Sequence, residues 1–198
     1  GGPAFTAPGE SQPAEPVRLT STSSGAVPPA ALYSRLYASI KNKNLCKAMV
    51  ANAIAESGIR PNVNGDCRAY GTRYRSKALD TSKYPDAFYK PRRGLCCSFG
   101  IWQYNICNGL GERLLRAYGV GVGSESTDAE KISVLTDYDK QVNFMINYVQ
   151  KRIGPMLLSD EKTVDWWVEW FVVNVERPAN MGSAIRKRQR IAQRLNIG

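Results

Sequence analysis

The sequence predicts a mostly α-helical domain of the α+β class, with a small loop-rich or β lobe, preceded by an extended arm. Three observations carry this. After Pro29, apolar residues recur at three- and four-residue spacing through most of the chain. Residues 59–100 lose that period and fill with Gly, Pro and Tyr. Six of the eleven prolines fall within residues 1–29, among Gly, Ala, Ser and Thr.

Each element follows from its own residues. The first 29 residues hold too little apolar surface to offset the entropy of ordering them, so they read as a linker or an arm lying on a partner. Residues 30–198 form the domain proper. Leu32, Leu36 and Ile40, with Tyr33 and Tyr37 beside them, place one apolar stripe on a helix ending near Lys41 to Asn44. A second helix runs from about 45 to 57, with small and apolar faces from Leu45, Ala48, Met49, Asn52, Ala53 and Ala55, and Gly58 and Pro61 end it. The stretch 59–100 reads as loops with a short hairpin; residues 60–93 hold nine Lys/Arg against three Asp. Long loops of this kind inside a compact domain are usually functional.

Helical spacing returns at about 109–118 with Leu110, Leu114, Leu115 and Tyr118, ended by Gly119; Gly121 and Gly123 form a connector. A helix over about 136–152, capped near Thr136 or Asp137, buries Tyr138, Val142, Met145, Ile146 and Val149. The stretch 163–175, starting at Thr163, is apolar nearly all round, which predicts a central buried helix stopped by Pro178. A last helix over about 183–195 takes Ser183 as its N-cap and carries Arg186, Lys187, Arg188, Arg190 and Arg194. The sum is six or seven helices around a loop-rich middle.

Composition excludes whole classes of chemistry. The chain has 198 residues, a net charge of +10 and no histidine. That rules out a Ser-His-Asp triad, a Cys-His pair and a His-ligated zinc within this sequence, and leaves acid-base work to carboxylates, tyrosines, lysines and thiols. No apolar run reaches the length of a membrane span, and no metal or cofactor is implied. The five cysteines, Cys46, Cys67, Cys96, Cys97 and Cys107, leave an odd one. They read as reduced, partly buried thiols; one disulfide, such as Cys67 to Cys96 or Cys97, is the alternative.

Two places can do chemistry. Glu56 sits at the C-terminal end of a helix whose other members are apolar or small. The negative end of the helix dipole and the loss of solvation both favour a protonated carboxyl, suited to donate a proton as a general acid. The plainer alternative is an ion pair with an Arg such as Arg60. The second place is Ser98 to Tyr104. Gly100 lets backbone approach a ligand, Gln103 offers donor and acceptor, and Trp102 and Tyr104 offer flat faces for sugar rings. Taken alone, this segment reads as a buried strand with aromatic packing.

Glu56-Ser57-Gly58 followed by Pro61 and Asn62 is similar to the E-S-x-x-x-P signature of goose-type lysozymes and lytic transglycosylases. More closely, four segments in order resemble the phage tail lysozyme family: Ala55 to Asn62, Gly100 to Tyr104, Asp139 to Phe144 within a D-x-Q-x-x-[FY] pattern, and Phe171 to Pro178 ending Glu176-Arg177-Pro178. An Arg-containing terminal helix follows. The resemblance spans roughly residues 31–195. Two departures stand out: a long basic loop from Cys67 to Cys97, and Tyr104 after Gln103 where relatives more often carry Trp.

The resemblance implies a lysozyme-like fold that cuts the β-1,4 bond between N-acetylmuramic acid and N-acetylglucosamine. Glu56 would be the general acid, with Ser57, Ser98, Trp102, Gln103 and Tyr104 holding the glycan. A second carboxylate, if used, comes from Asp66, Asp80, Asp86 or Glu176; Asp66 is nearest in sequence, and Glu176 reads as fixing the chain turn through an ion pair or hydrogen bonds. Without one, either a held water attacks, or the substrate's own 6-hydroxyl attacks and gives a 1,6-anhydro product. The implied partners are peptidoglycan and, through residues 1–29, other proteins of a phage tail. The positive charge suits an anionic wall polymer; contact with nucleic acid is the less favoured reading, since no base-reading module is recognisable. A non-catalytic lysozyme-like scaffold docking to glycan or to virion subunits is the competing class.

Overall fold

A computed structural model of the chain describes residues 25–63, 67–69, 72–74, 97–107, 109–123, 125–158 and 161–198, with 67–69 and 72–74 as backbone. It is mostly helical with short antiparallel strands, as the α+β reading expects. The chain divides into two compact units, one holding Arg60–Met145 and the other Leu19–Ile59 with Ile146–Gly198.

The second of these is all helix. Helix α1 (Pro29–Ile40) starts with proline, whose fixed φ and missing N–H suit a first turn, and buries Leu32, Leu36 and Ile40. Pro29 therefore belongs to the helix, one residue earlier than the arm boundary read from composition. Lys41, at φ 59°, turns the chain. Helix α2 (Lys43–Ser57) is capped by Asn42, whose side chain accepts from the Leu45 N–H at 3.0 Å, and stops at Gly58, at φ 68°.

Helix α6 (Val164–Phe171) is capped by Thr163, continues into one π-type turn over Val172–Glu176, and ends where Arg177 takes a left-handed φ of 48°. Helix α7 (Met181–Arg194) closes the unit. Its cap is Asn180, whose side chain accepts from the Ser183 N–H at 3.1 Å; Ser183 lies inside the first turn and is not the cap expected.

The central helix is α2, not the tryptophan-rich stretch. Eight of its residues from Leu45 to Ala53 are buried, and α1, α6 and α7 all pack on it. Ala48, Ala51 and Ala53 make this possible, because short side chains let three neighbours close in. Helix α6 buries Trp167, Val168 and Phe171 but turns Glu169 outward, and Val173 beyond it is 40% exposed. Bulk had suggested centrality; small size achieves it.

The other unit carries the strands. Strands β1 (Cys67–Ala69) and β2 (Thr72–Tyr74) pair antiparallel, the short hairpin foreseen in the loop-rich stretch. Strands β3 (Ser98–Phe99) and β4 (Tyr104–Asn105) pair likewise around a turn over 100–103. Helices α3 (Leu110–Ala117) and α4 (Asp128–Leu135) follow. Periodicity missed α4. Its signal was a capping box: Thr127 accepts from the Glu130 N–H at 3.1 Å, three residues on. Helix α5 (Tyr138–Ile153) supplies residues to both units; Asp137 caps it by accepting from the Lys140 N–H at 2.8 Å. A 3₁₀ turn, Gly154–Leu158, follows.

The reading of all cysteines as reduced thiols is corrected. Cys97 and Cys107 are disulfide-bonded, and Cys46 is free and buried. Residues 1–24, the basic loop 75–96, and the carboxylates Asp66, Asp80 and Asp86 lie outside the described residues.

Candidate active site

Glu56 lies in the last turn of α2, one residue before Ser57 and two before the helix-ending Gly58. Its side chain is 21% exposed. It receives Arg188 of α7, whose Nη2 donates to Oε1 at 2.5 Å. The same guanidinium reaches Glu176 at the end of the π-type turn, with Nε 2.9 Å from Oε2. Arg188 and Glu176 are only 8% and 5% exposed in their side chains. Three elements of one helical unit thus bring two carboxyl groups to a single guanidinium.

The satisfaction of this cluster is uneven. Arg188 Nη1 donates to the Ala184 carbonyl at 3.2 Å. The Nε approach to Glu176 is close, but the N–H is not aimed along a hydrogen-bond line, so both Glu176 oxygens and Arg188 Nε lack an aligned partner. We therefore treat the 2.9 Å approach as an ion pair, not a directed bond. Burial pushes the Glu176 carboxyl well above its usual range, the charge of nearby Glu56 pushes it the same way, and Arg188 opposes both. Two carboxyl groups thus rest on one guanidinium, and Glu176 is the drier of them.

This revises the expected picture of Glu56. A cation sits on the carboxyl that the helix end and burial were expected to keep neutral, and the carboxyl whose pKa burial raises is Glu176. The counter-ion comes from the far end of the chain, where Arg60 had been the nearest candidate in sequence. One signal pointed to it: Ile185, Arg188 and Ala192 share the inward stripe of an otherwise basic helix, and Arg188 and Ala192 are buried. An arginine in such a stripe needs a buried carboxylate.

The Gly100–Tyr104 segment lies in the other unit. The aromatic residues are covered: Trp102 is 3% exposed and Tyr104 1%. Tyr104 donates its hydroxyl to the Gln141 carbonyl at 2.9 Å and packs edge-on against Phe144. Neither ring offers the open face a sugar would lie on, which corrects that expectation. Gly100, at φ +83°, is needed because a Cβ there would fall inside the Gln141 side-chain amide. The close approach that glycine permits is thus to Gln141, not to a ligand.

Gln141 is fully buried and ties this unit together. Its Oε1 accepts from the Ile101 N–H at 2.9 Å, and its Nε2 donates to the carbonyls of Pro61 and Leu135, both at 2.8 Å. Gln103, half-buried at a left-handed φ of 54°, donates Nε2 to Gly100 O at 2.8 Å and Val63 O at 3.2 Å. Among the described residues its carbonyl oxygen accepts no hydrogen bond, so it keeps an acceptor for a ligand. Ser98 Oγ accepts from Asn105 Nδ2 across the hairpin at 3.1 Å, and buried Ser57 donates to the Ala53 carbonyl at 3.4 Å; both hydroxyls serve local structure.

Among the described residues no group of three or more Cys, Asp or Glu is arranged to hold a metal ion, and no helix is long and apolar enough to cross a membrane. No family model, curated protein or solved structure matches the chain.

Proposed function

We propose that this chain is a peptidoglycan glycosidase, cutting the β-1,4 bond between N-acetylmuramic acid and N-acetylglucosamine, with Glu56 as the acid-base group. The observation that carries the reading is the Glu56 carboxyl itself. It is partly exposed at the tip of helix α2, paired with a buried arginine that also contacts a buried second carboxyl. Such an arrangement is costly for folding alone, because desolvated charges are repaid only by good geometry. A buried carboxyl with a raised pKa beside a partly exposed one is also an arrangement that acid-base catalysis uses. The four ordered motifs that resemble the phage tail lysozymes supply the substrate class. They also supply the setting, a phage virion whose Pro-rich arm, residues 1–29, contacts neighbouring proteins.

Arg188 favours a second reading, in which Glu56 is the structural half of an ion pair and the chain is a non-catalytic glycan-binding module. The Glu56→Gln variant separates the two. The glycosidase reading expects release of soluble muropeptides from purified sacculi to fall by at least ~10²-fold, with binding to sacculi retained. Release at the wild-type rate removes Glu56 from the chemistry.

A further inference from the structure

We propose that Glu176 and Arg188 are positioning residues for the Glu56 carboxyl, the two acids sharing one proton across a single guanidinium. The inference rests on the glycosidase reading for its consequence but on the cluster's geometry for its substance. Three facts carry it. Arg188 contacts both carboxyl groups, through Nη2 and Nε. Neither oxygen of Glu176 has an aligned donor, so its ionised form is left poorly satisfied while its protonated form can donate to Glu56. And one buried positive charge neutralises one carboxylate, not two.

Glu176 is too close to Glu56 to be the second carboxylate of a standard glycosidase. Those groups stand roughly 5–10 Å apart to leave room for the sugar or a water, whereas these two crowd onto adjacent nitrogens of one guanidinium, Nη2 and Nε. Glu176 therefore does not attack the sugar or activate water. It holds a proton in reserve.

The step balances simply. The Glu176 proton passes along the hydrogen bond to Glu56, and Arg188 neutralises whichever carboxyl is left ionised. Glu56 then gives that proton to the glycosidic oxygen as the C1–O bond breaks and its electron pair goes to the leaving oxygen. As the oxygen of the attacking water or 6-hydroxyl bonds to C1, the Glu56 carboxylate, held by Nη2, takes its proton. That proton restores the starting state.

The charged groups that face Glu176 are Glu56 from α2 and Arg188 from α7. On those helices Lys43, Arg186, Lys187, Arg190 and Arg194 are exposed, as are Glu169 of α6 and Arg177 after it. Lys47 is half-buried, and Asp165 is engaged with Gln193 at 3.4 Å.

The test has two arms. Carbon-13 NMR of side-chain-labelled glutamates follows the titration directly, in wild type and in Glu56→Gln. A Glu176 carboxyl that titrates well above the usual carboxylate range, and moves down in Glu56→Gln, supports the shared proton. Ordinary titration, or a high value unmoved by Glu56→Gln, overturns it. The second arm is the pH profile of muropeptide release by Glu176→Gln, whose neutral amide keeps the shape and removes the proton reserve. The alkaline limb moves to lower pH by about one unit or more; an unmoved limb in folded Glu176→Gln overturns the inference. Wild-type protein that releases no muropeptides sinks the glycosidase reading alone, and the NMR titration then decides the shared proton by itself.

Discussion

A carboxyl group buried beside another carboxyl makes stability depend on pH in a definite direction. Glu176 has a folded-state pKa well above the ordinary 4.5, so the folded chain holds its proton longer than the unfolded chain does. Its contribution to stability is fully present below about 4.5 and is lost as pH rises through the folded value. Glu176→Gln removes that dependence. Thermal melting should show the variant losing less stability than wild type between weakly acid and alkaline pH, and an identical decline in both proteins contradicts the assignment. Cys46 makes a second case. Burial pushes its thiol up to about 12, so thiolate is scarce at neutral pH. Peptide mapping after treatment with iodoacetamide should find Cys46 unmodified in the native protein and labelled once denaturant is added.

At the scale of elements, the most informative device is Gln141. One amide in the first turns of α5 holds the turn after β3, the segment at Pro61 and the end of α4. Gln141→Met is nearly the same size and keeps the helix, but it removes the bonds that Gln141 supplies to the Ile101 N–H and to the Leu135 and Pro61 carbonyls. Each orphaned group costs about 1–3 kcal/mol, so urea unfolding should show a loss of at least ~3 kcal/mol; a loss under ~1 kcal/mol contradicts this reading. Elements with clean signals were legible in the sequence. Leu32, Leu36 and Ile40 fixed α1, and Thr163 marked the start of α6. The failures share a cause, which is that one-dimensional spacing says little about what a side chain meets. Helix α2 was underrated because its alanines look featureless, yet alanine is what permits burial on every side. Trp102 and Tyr104 looked like sugar platforms, but both are buried, and Tyr104 meets Gln141 and Phe144, some 40 residues away.

For the whole molecule, the helix-end carboxylate was legible and its environment was not. Glu56 could be singled out from a helix end and a short motif. Arg188 lies 132 residues away, and that pairing is a product of the fold. The net charge of +10 would raise the encounter rate with the polyanionic wall proposed as substrate, but charge alone names no reaction. The reaction is named by its products. Mass spectrometry of the fragments released from purified peptidoglycan by wild type, beside Glu56→Gln, is the most direct measurement. We expect disaccharide-peptides ending in N-acetylmuramic acid, either hydrated or lighter by one water in the 1,6-anhydro form, from the wild type and essentially none from the variant. Intact glycan strands after wild-type treatment, or the same fragments from Glu56→Gln, would contradict the account.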